Sequence, residues 1–131
     1  MGPVRYLLDT CTFLWHAQLP AQLSPTVVAA LNEPESEHFL SDVSLWEISL
    51  KHSAGKLPLP SAPREWIPQK LGYHQIQSLA LTHAAIFRSG ELPRIHADPF
   101  DRLLAAQAIE SSLVMLSPDQ SLSLLGASRV W

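Results

Sequence analysis

The sequence predicts an α/β fold, a three-layer sandwich built on a mostly parallel central sheet of four to five strands. Three observations carry that expectation. Strand-sized apolar runs alternate with helical stretches from one end of the chain to the other. Helical stretches open on a capping residue followed by proline, as at Ser24-Pro25 and Asp98-Pro99. The 131 residues are 47% hydrophobic and 16% charged, enough for one core of ordinary globular composition. Alternating strands and helices call for right-handed crossovers, which cover a parallel sheet on both faces.

Taken in order, Val4 to Leu8 (VRYLL) is the first strand and ends at Asp9. Thr12 to Gln18 is helical. Ser24 caps the next helix, with Pro25 at its first position, where a missing N–H costs nothing. That helix runs through Val27, Val28, Ala29, Ala30 and Leu31 and ends near Pro34. His38 to Ser41 is the second strand. Asp42 to Ala54 is a helix stopped by Gly55, with Lys51 and His52 placed to complement its dipole. Leu57 to Pro63 holds three prolines and reads as loop. Pro63 to Leu71 is a helix that Pro68 kinks or shortens. Gln75 to Leu79 is the third strand, and Thr82 caps a short helix to Ser89. After the Gly90–Ala97 connection, Asp98-Pro99 opens a helix through Ser111, apolar at Leu103, Leu104, Ala106, Ala108 and Ile109. Leu113 to Leu116 is the fourth strand, Pro118 to Leu125 a short helix, and Arg129 to Trp131 a terminal strand. Neither repeats nor a linker interrupt this order, so 1–131 is expected to be one domain.

Composition excludes several classes. One cysteine, Cys11, rules out an internal disulfide framework and suits a reducing compartment. The uncharged run from Thr10 to Asn32 is long enough for a membrane span, but Gln18, Pro20, Gln22, Ser24 and Pro25 break it up. Asp9 interrupts the one stretch that resembles a secretory leader. A soluble, cytoplasmic protein is the expectation. The formal charge is 9 − 12 = −3, which gives no electrostatic argument for nucleic acid.

The acidic residues divide into two groups. Glu33, Glu35, Glu37, Glu65, Glu91 and Glu110 lie among polar neighbours, as a solvated surface requires. Asp9, Glu47, Asp101 and Asp119 sit where a carboxylate is costly. Asp9 follows the first strand, and Asp119 follows the fourth. Glu47 is the one formal charge in Val43–Leu50 (VSLWEISL), and Asp101 lies in the first turn of an apolar helix. In an open parallel sheet, ligands gather beyond the carboxyl ends of the strands. Carboxylates held together there repel one another, and a hard divalent cation removes the conflict. Oxygen ligands without Cys/His spacing point to Mg²⁺ or Mn²⁺ rather than Zn²⁺.

Each acid also has a structural reading. Asp98 is an N-cap, Asp101 complements the helix dipole, Asp9 caps the following turn, and Asp119 belongs to a Pro-Asp turn. Glu47 has Lys51 at i+4 as an ion-pair partner. From the residues alone, cluster and caps both stand. Elsewhere, His96 beside Arg94 is a phosphate-contact candidate, weighed against a plain surface role. Six scattered histidines lack metal spacing. Cys11 reads as a buried small hydrophobe. Trp15, Trp46, Trp66 and Trp131 read as core or interface residues rather than base-stacking platforms. No Gly-rich phosphate loop, G-x-S-x-G or H-E-x-x-H motif occurs.

Four segments in order carry a resemblance: YLLDTCTFLW, SDVSLWEISLKHSAGKL, HADPFDRLLAAQA and VMLSPD. Together they resemble the successive motifs of PIN-domain ribonucleases, and are most similar to the VapC-type toxins of bacterial toxin–antitoxin pairs. The resemblance runs from Arg5 to Trp131. It implies a Mg²⁺-dependent endoribonuclease, with Mn²⁺ as a substitute, whose acidic pocket lies at the sheet's carboxyl edge. It assigns Asp9, Glu47, Asp101 and Asp119 as the catalytic acids. Asp9 and Asp101 would hold the metal most directly, with Glu47 and Asp119 completing the site directly or through water. Asp98 is an extra acid of the H-x-D-P-F-D-R subgroup, either ligand or cap. S-P-D stands where T-R-D is more usual, which removes an arginine next to Asp119.

The resemblance further implies an RNA substrate, a small VapB-type antitoxin whose segment occupies the acidic groove, and a homodimer. Lys51, Lys56, Arg88, Arg94 and Arg102 are the candidates for gripping the RNA backbone. Two divalent ions would add +4 to the chain's −3, leaving +1. Two other classes compete: a metal-dependent phosphohydrolase of small phosphoesters, and a non-catalytic module whose acids are caps.

Overall fold

The computed structural model describes residues 3–95 and 97–131. The phosphate contact considered for His96 therefore lies outside the described residues. The elements follow the predicted order: β1 (Arg5–Leu8), α1 (Thr10–Gln18), α2 (Pro25–Asn32), β2 (Glu37–Ser41), α3 (Asp42–Ser53), α4 (Pro63–His74), β3 (Gln77–Leu79), α5 (His83–Glu91), α6 (Pro99–Glu110), β4 (Val114–Leu116), α7 (Gln120–Leu124) and β5 (Arg129–Val130). A short 3₁₀ turn, Pro20–Gln22, joins α1 to α2.

The sheet has five strands in the order β3-β2-β1-β4-β5, and every pairing is parallel. Leu7 lies opposite Phe39 and Met115, and Leu8 opposite Leu40 and Leu116. Successive strand side chains point to opposite faces, so these two layers feed two different cores. Leu7, Phe39 and Met115 pack with Ala85 of α5, Leu104 to Ala106 of α6 and Leu122 of α7. Leu8, Leu40 and Leu116 pack with Phe13 of α1, Val27 of α2, and Trp66 and Ile67 of α4. Burial on both faces explains why the strands read as continuous apolar runs rather than alternating ones. Helix α3 straddles the layers, giving Val43 to the first core and Ile48 to the second.

The capping chemistry is as read from the sequence. Ser24, Thr82 and Asp98 each accept a backbone N–H at the head of their helices. Gly55, at φ +73°, ends α3 in the left-handed conformation that favours glycine.

Helix α4 departs from expectation. It runs on past Leu71 to His74, with Pro68 inside it. Pro68 is exposed, while Trp66 and Ile67 beside it are buried and pin the helix to the second core. That packing tolerates the missing hydrogen bond, and Gln75 at φ 56° ends the helix instead.

The tryptophans also divide. Trp66 is 2% exposed, whereas Trp46 is 54% exposed and packs edge-to-face with Phe100 at 5.1 Å. Among the described residues, no helix is long and apolar enough to cross a membrane.

Candidate active site

The strand order reverses direction between β1 and β4, which are neighbours although far apart in sequence. In a parallel sheet such a switch point opens a crevice at the carboxyl ends of the strands. Asp9 and Asp119 lie there, just beyond β1 and β4.

Asp9 caps α1: its Oδ1 accepts the Thr12 N–H at 2.7 Å, and its Oδ2 accepts from Ser117 Oγ at 2.5 Å. Ser117 Oγ in turn accepts the Asp119 N–H at 3.0 Å, so one hydroxyl ties the two acids together. Asp119 caps α7 through Oδ1 and Ser121 N–H, 2.9 Å. Burial raises the Asp9 carboxyl above its ordinary range. The Ser117 and Thr12 hydrogen bonds oppose that shift, and the charge of Asp119 adds to it.

Glu47 reaches the crevice from α3, where it shares the inward face with Val43, Ser44 and Ile48. Its Oε1 accepts from Thr10 Oγ1 at 2.6 Å, and its Oε2 from Lys51 Nζ at 2.6 Å. Ser44 Oγ lies within hydrogen-bond distance of Thr10 Oγ1, at 2.9 Å. Bonded to both neighbours, a carboxylate 7% exposed is stable in an otherwise apolar helix. The hydrogen bond to Glu47 raises the Lys51 ammonium, and the charges of Glu47, Asp98 and Asp101 act in the same direction.

Asp101 enters from the first turn of α6. Among the described residues its carboxylate accepts no hydrogen bond. Burial pushes it up to about 7, reinforced by the charges of Asp98, Asp119, Glu47 and Asp9. Asp101 feels the other three pocket acids, and the helix cap Asp98 adds to them.

Asp9, Glu47, Asp101 and Asp119 line one pocket of about 260 Å³, together with Thr10, Cys11 and Pro118. Asp98 is exposed and absent from this lining; its Oδ1 accepts the N–H groups of Phe100 and Asp101 as the cap of α6.

A scan against protein-family models matches the PIN domain over residues 6–127. The chain belongs to the PIN-domain family. PIN domains are nucleases, hydrolases acting on nucleic acid, and such nucleases generally use divalent metal ions. Among solved structures, this PIN domain is similar in fold to VapBC2 from Rickettsia felis bound to a promoter DNA fragment. That match has TM-score 0.71 and 15% identity, over 97% of this chain and 98% of the other. DNA-bound VapBC from Salmonella typhimurium matches with TM-score 0.65 and 18% identity, covering 97% of each chain. A toxin–antitoxin complex from Klebsiella pneumoniae matches with TM-score 0.59 and 12% identity, covering 96% of each. No curated protein matches the sequence.

The cations separate by position. Lys51 and Lys56 line a cleft that adjoins the acidic pocket of the PIN domain. Arg94 and Arg102 line a different hollow, with Gly90 and Ile95. Arg102 spends its guanidinium on the carbonyls of Ser89, Leu92 and Pro93, holding the α5–α6 connection. Arg88 pairs with Glu110.

Cys11 is half-exposed on the pocket wall rather than buried, because α1 turns that position toward the carboxyl edge. Burial, then the charges of Asp9 and Glu47, push its thiol up to about 11.

Sequence reasoning passed over the hydroxyls of Thr10, Ser44 and Ser117. Their spacing carries a signal: Thr10 follows Asp9, Ser44 precedes Glu47 by one helical turn, and Ser117 lies two residues before Asp119. Arg129, also passed over, donates to the Ser117 carbonyl at 3.0 Å.

Proposed function

We propose that this PIN domain is a Mg²⁺-dependent endoribonuclease that hydrolyses RNA phosphodiester bonds, and is the toxin of a toxin–antitoxin pair. The observation that carries the reading is the convergence of four carboxylates, from the caps of α1 and α7 and from within α3 and α6, on one pocket at the switch point of the sheet.

The donor set suits a hard cation, since every pocket acid offers oxygen. Among the described residues no group of three or more His, Cys, Asp or Glu side chains forms a ready-made metal cage. Mg²⁺ does not require such a cage, since it keeps several waters and binds through one or two carboxylates plus substrate phosphate. Asp9 and Asp101 are the residues to hold it, with Glu47 and Asp119 acting directly or through water. When bound, such an ion lowers the pKa of a coordinated water and offsets charge developing on the phosphate oxygens.

The chain's own groups prepare the pocket. Thr12 and Ser117 orient Asp9, and Thr10 and Lys51 hold Glu47 from opposite ends. Asp101, its carboxyl pushed up to about 7, must ionise before it can hold a cation.

The fold shared with VapBC and toxin–antitoxin complexes supports a VapB-type antitoxin as partner; a homodimer in the cytoplasm is proposed with it. The test is cleavage of structured RNA by the purified protein with Mg²⁺, with Mn²⁺ and with excess chelator. Asp9→Asn serves as the inactive control. Cleavage that persists unchanged in chelator overturns the metal-dependent reading. Hydrolysis of a generic phosphomonoester in place of RNA overturns the substrate.

A further inference from the structure

A second cleft of about 310 Å³ opens beside the acidic pocket and shares Thr10, Cys11 and Glu47 with it. Its remaining walls differ in character. Leu14, Trp15 and Leu57 make an apolar side, while Lys51 and Lys56 bring two cations. Both sides are held in place. The Trp15 ring rests against Trp131 at 5.7 Å, which limits its rotation. Lys56 is set by the end of α3, where Gly55 turns left-handed and the Lys56 N–H bonds the Lys51 carbonyl at 2.9 Å. His52 Nδ1, within 2.9 Å of the Leu57 carbonyl, fixes the next residue of that wall.

An apolar wall and two lysines lining one cleft, one step from a phosphodiester-cleaving pocket, match a nucleotide: an aromatic base and an anionic phosphate joined by a short sugar. The volume falls at the lower end of the range for small-ligand sites, room for one such unit. We propose that this cleft is a subsite for the unpaired nucleotide flanking the scissile phosphate, its base against Leu14 and Trp15 and its phosphate at Lys56 and Lys51. The proposal rests on the nuclease reading above and sharpens it, since the cleft admits a base only when that base is not paired. Glu47 then stands at the boundary of the two compartments. Its ion pair with Lys51 places one cation between the acidic pocket and the phosphate of the neighbouring nucleotide.

The test uses the whole chain and a short RNA that it cleaves in Mg²⁺, with kcat/KM measured across a range of salt. Lys56 is exposed, so Lys56→Ala folds without a packing penalty. The expected result is a severalfold loss in kcat/KM and a salt slope shallower by about 0.7, one phosphate contact on a single strand. Lys70→Ala, on α4 outside the cleft, keeps the wild-type slope. An abasic scan of the same RNA on the wild-type protein should find one position next to the cleavage site where deleting the base costs fivefold or more, the scale of one stacked base. An unchanged slope in Lys56→Ala overturns the proposal, and so does the absence of any costly abasic position. Indifference to both changes is the result expected of a groove that receives a protein segment instead. A wild-type protein that cleaves no RNA overturns the nuclease reading and the subsite with it. Cleavage that ignores Lys56 and the flanking base overturns the subsite alone.

Discussion

Thr10 Oγ1 donates to Glu47 Oε1 across 2.6 Å, joining the first helix to the third over 37 residues of sequence. The bond holds a nearly buried carboxylate at the mouth of the acidic pocket, with Lys51 on its other oxygen. Without the hydroxyl, Glu47 keeps one charged partner and loses the neutral one that aims it.

Thr10→Val preserves shape and removes the donor. The expected loss is about 1–3 kcal/mol of unfolding free energy, the cost of leaving a buried acceptor unpaired. Urea denaturation in chelator measures it. Equal stability of Thr10→Val and wild type would show that Ser44 or water substitutes for the missing hydroxyl.

The carboxyl of Asp101 predicts a pH dependence in the metal-free protein. Its pKa rises from 3.8 to about 7 on folding, so between those values the folded state binds more protons than the unfolded state. Stability from this group is therefore present at low pH and is lost as pH rises toward 7. Melting temperature in chelator should fall over that window, and Asp101→Asn should flatten the fall. Stabilisation by Mg²⁺ should grow over the same window, because the ion binds the ionised carboxylate. A wild-type protein whose chelator melts do not respond to pH in this range contradicts the convergence of acids on Asp101.

Asp98 and Asp101 share a helix turn but should respond oppositely. Asp98 caps α6 through two backbone N–H groups, so Asp98→Ala should cost about 0.5–2 kcal/mol whether or not Mg²⁺ is present. Asp101→Asn relieves repulsion, leaving chelator stability unchanged or higher. It should also shrink the Mg²⁺ stabilisation, which for wild type reaches about 2.7 kcal/mol at a hundredfold excess over the dissociation constant. Thermal melts of both variants, with chelator and with Mg²⁺, decide it. If both melt lower in chelator and keep the full Mg²⁺ shift, Asp101 is a helix-dipole residue and the metal reading fails there.

Arg102 should act on stability rather than on RNA. Its guanidinium closes the α5–α6 connection onto the carbonyls of Ser89, Leu92 and Pro93. Arg102→Ala should speed amide hydrogen exchange across 89–95 while leaving the salt slope of RNA cleavage as in wild type. A shallower slope with unchanged exchange would return Arg102 to the RNA-gripping set.

Much of this was legible in the chain because it depends on near neighbours. Apolar runs of strand length, Ser24-Pro25, Thr82, Asp98-Pro99 and Gly55 act within a turn of themselves, and their structures follow the local pattern. Asp9 and Asp119 were readable as edge residues because Asp9 directly follows a strand and Asp119 comes three residues after the end of one. Whether they meet was not readable, since that depends on β1 and β4 becoming neighbours in the sheet. Glu47 and Asp101 reach the same pocket only because α3 straddles the two cores and α6 starts at the same edge.

The hydroxyls of Thr10 and Ser117 escaped notice for a related reason. Ser and Thr are common, and their role here comes from partners 37 and 108 residues away. Cys11 read as buried and is half-exposed, because which face of α1 meets the crevice is set by packing on the sheet. Pro68 was expected to kink or shorten its helix, yet α4 runs on to His74, because the burial of Trp66 and Ile67 outweighs one missing hydrogen bond. Capping, strand length and turn chemistry are short-range and were determined by the sequence alone. Which carboxylates share a pocket, and which hydroxyls and cations hold them, was decided by strand order and helix packing, where contacts distant in sequence become the shortest distances in the molecule.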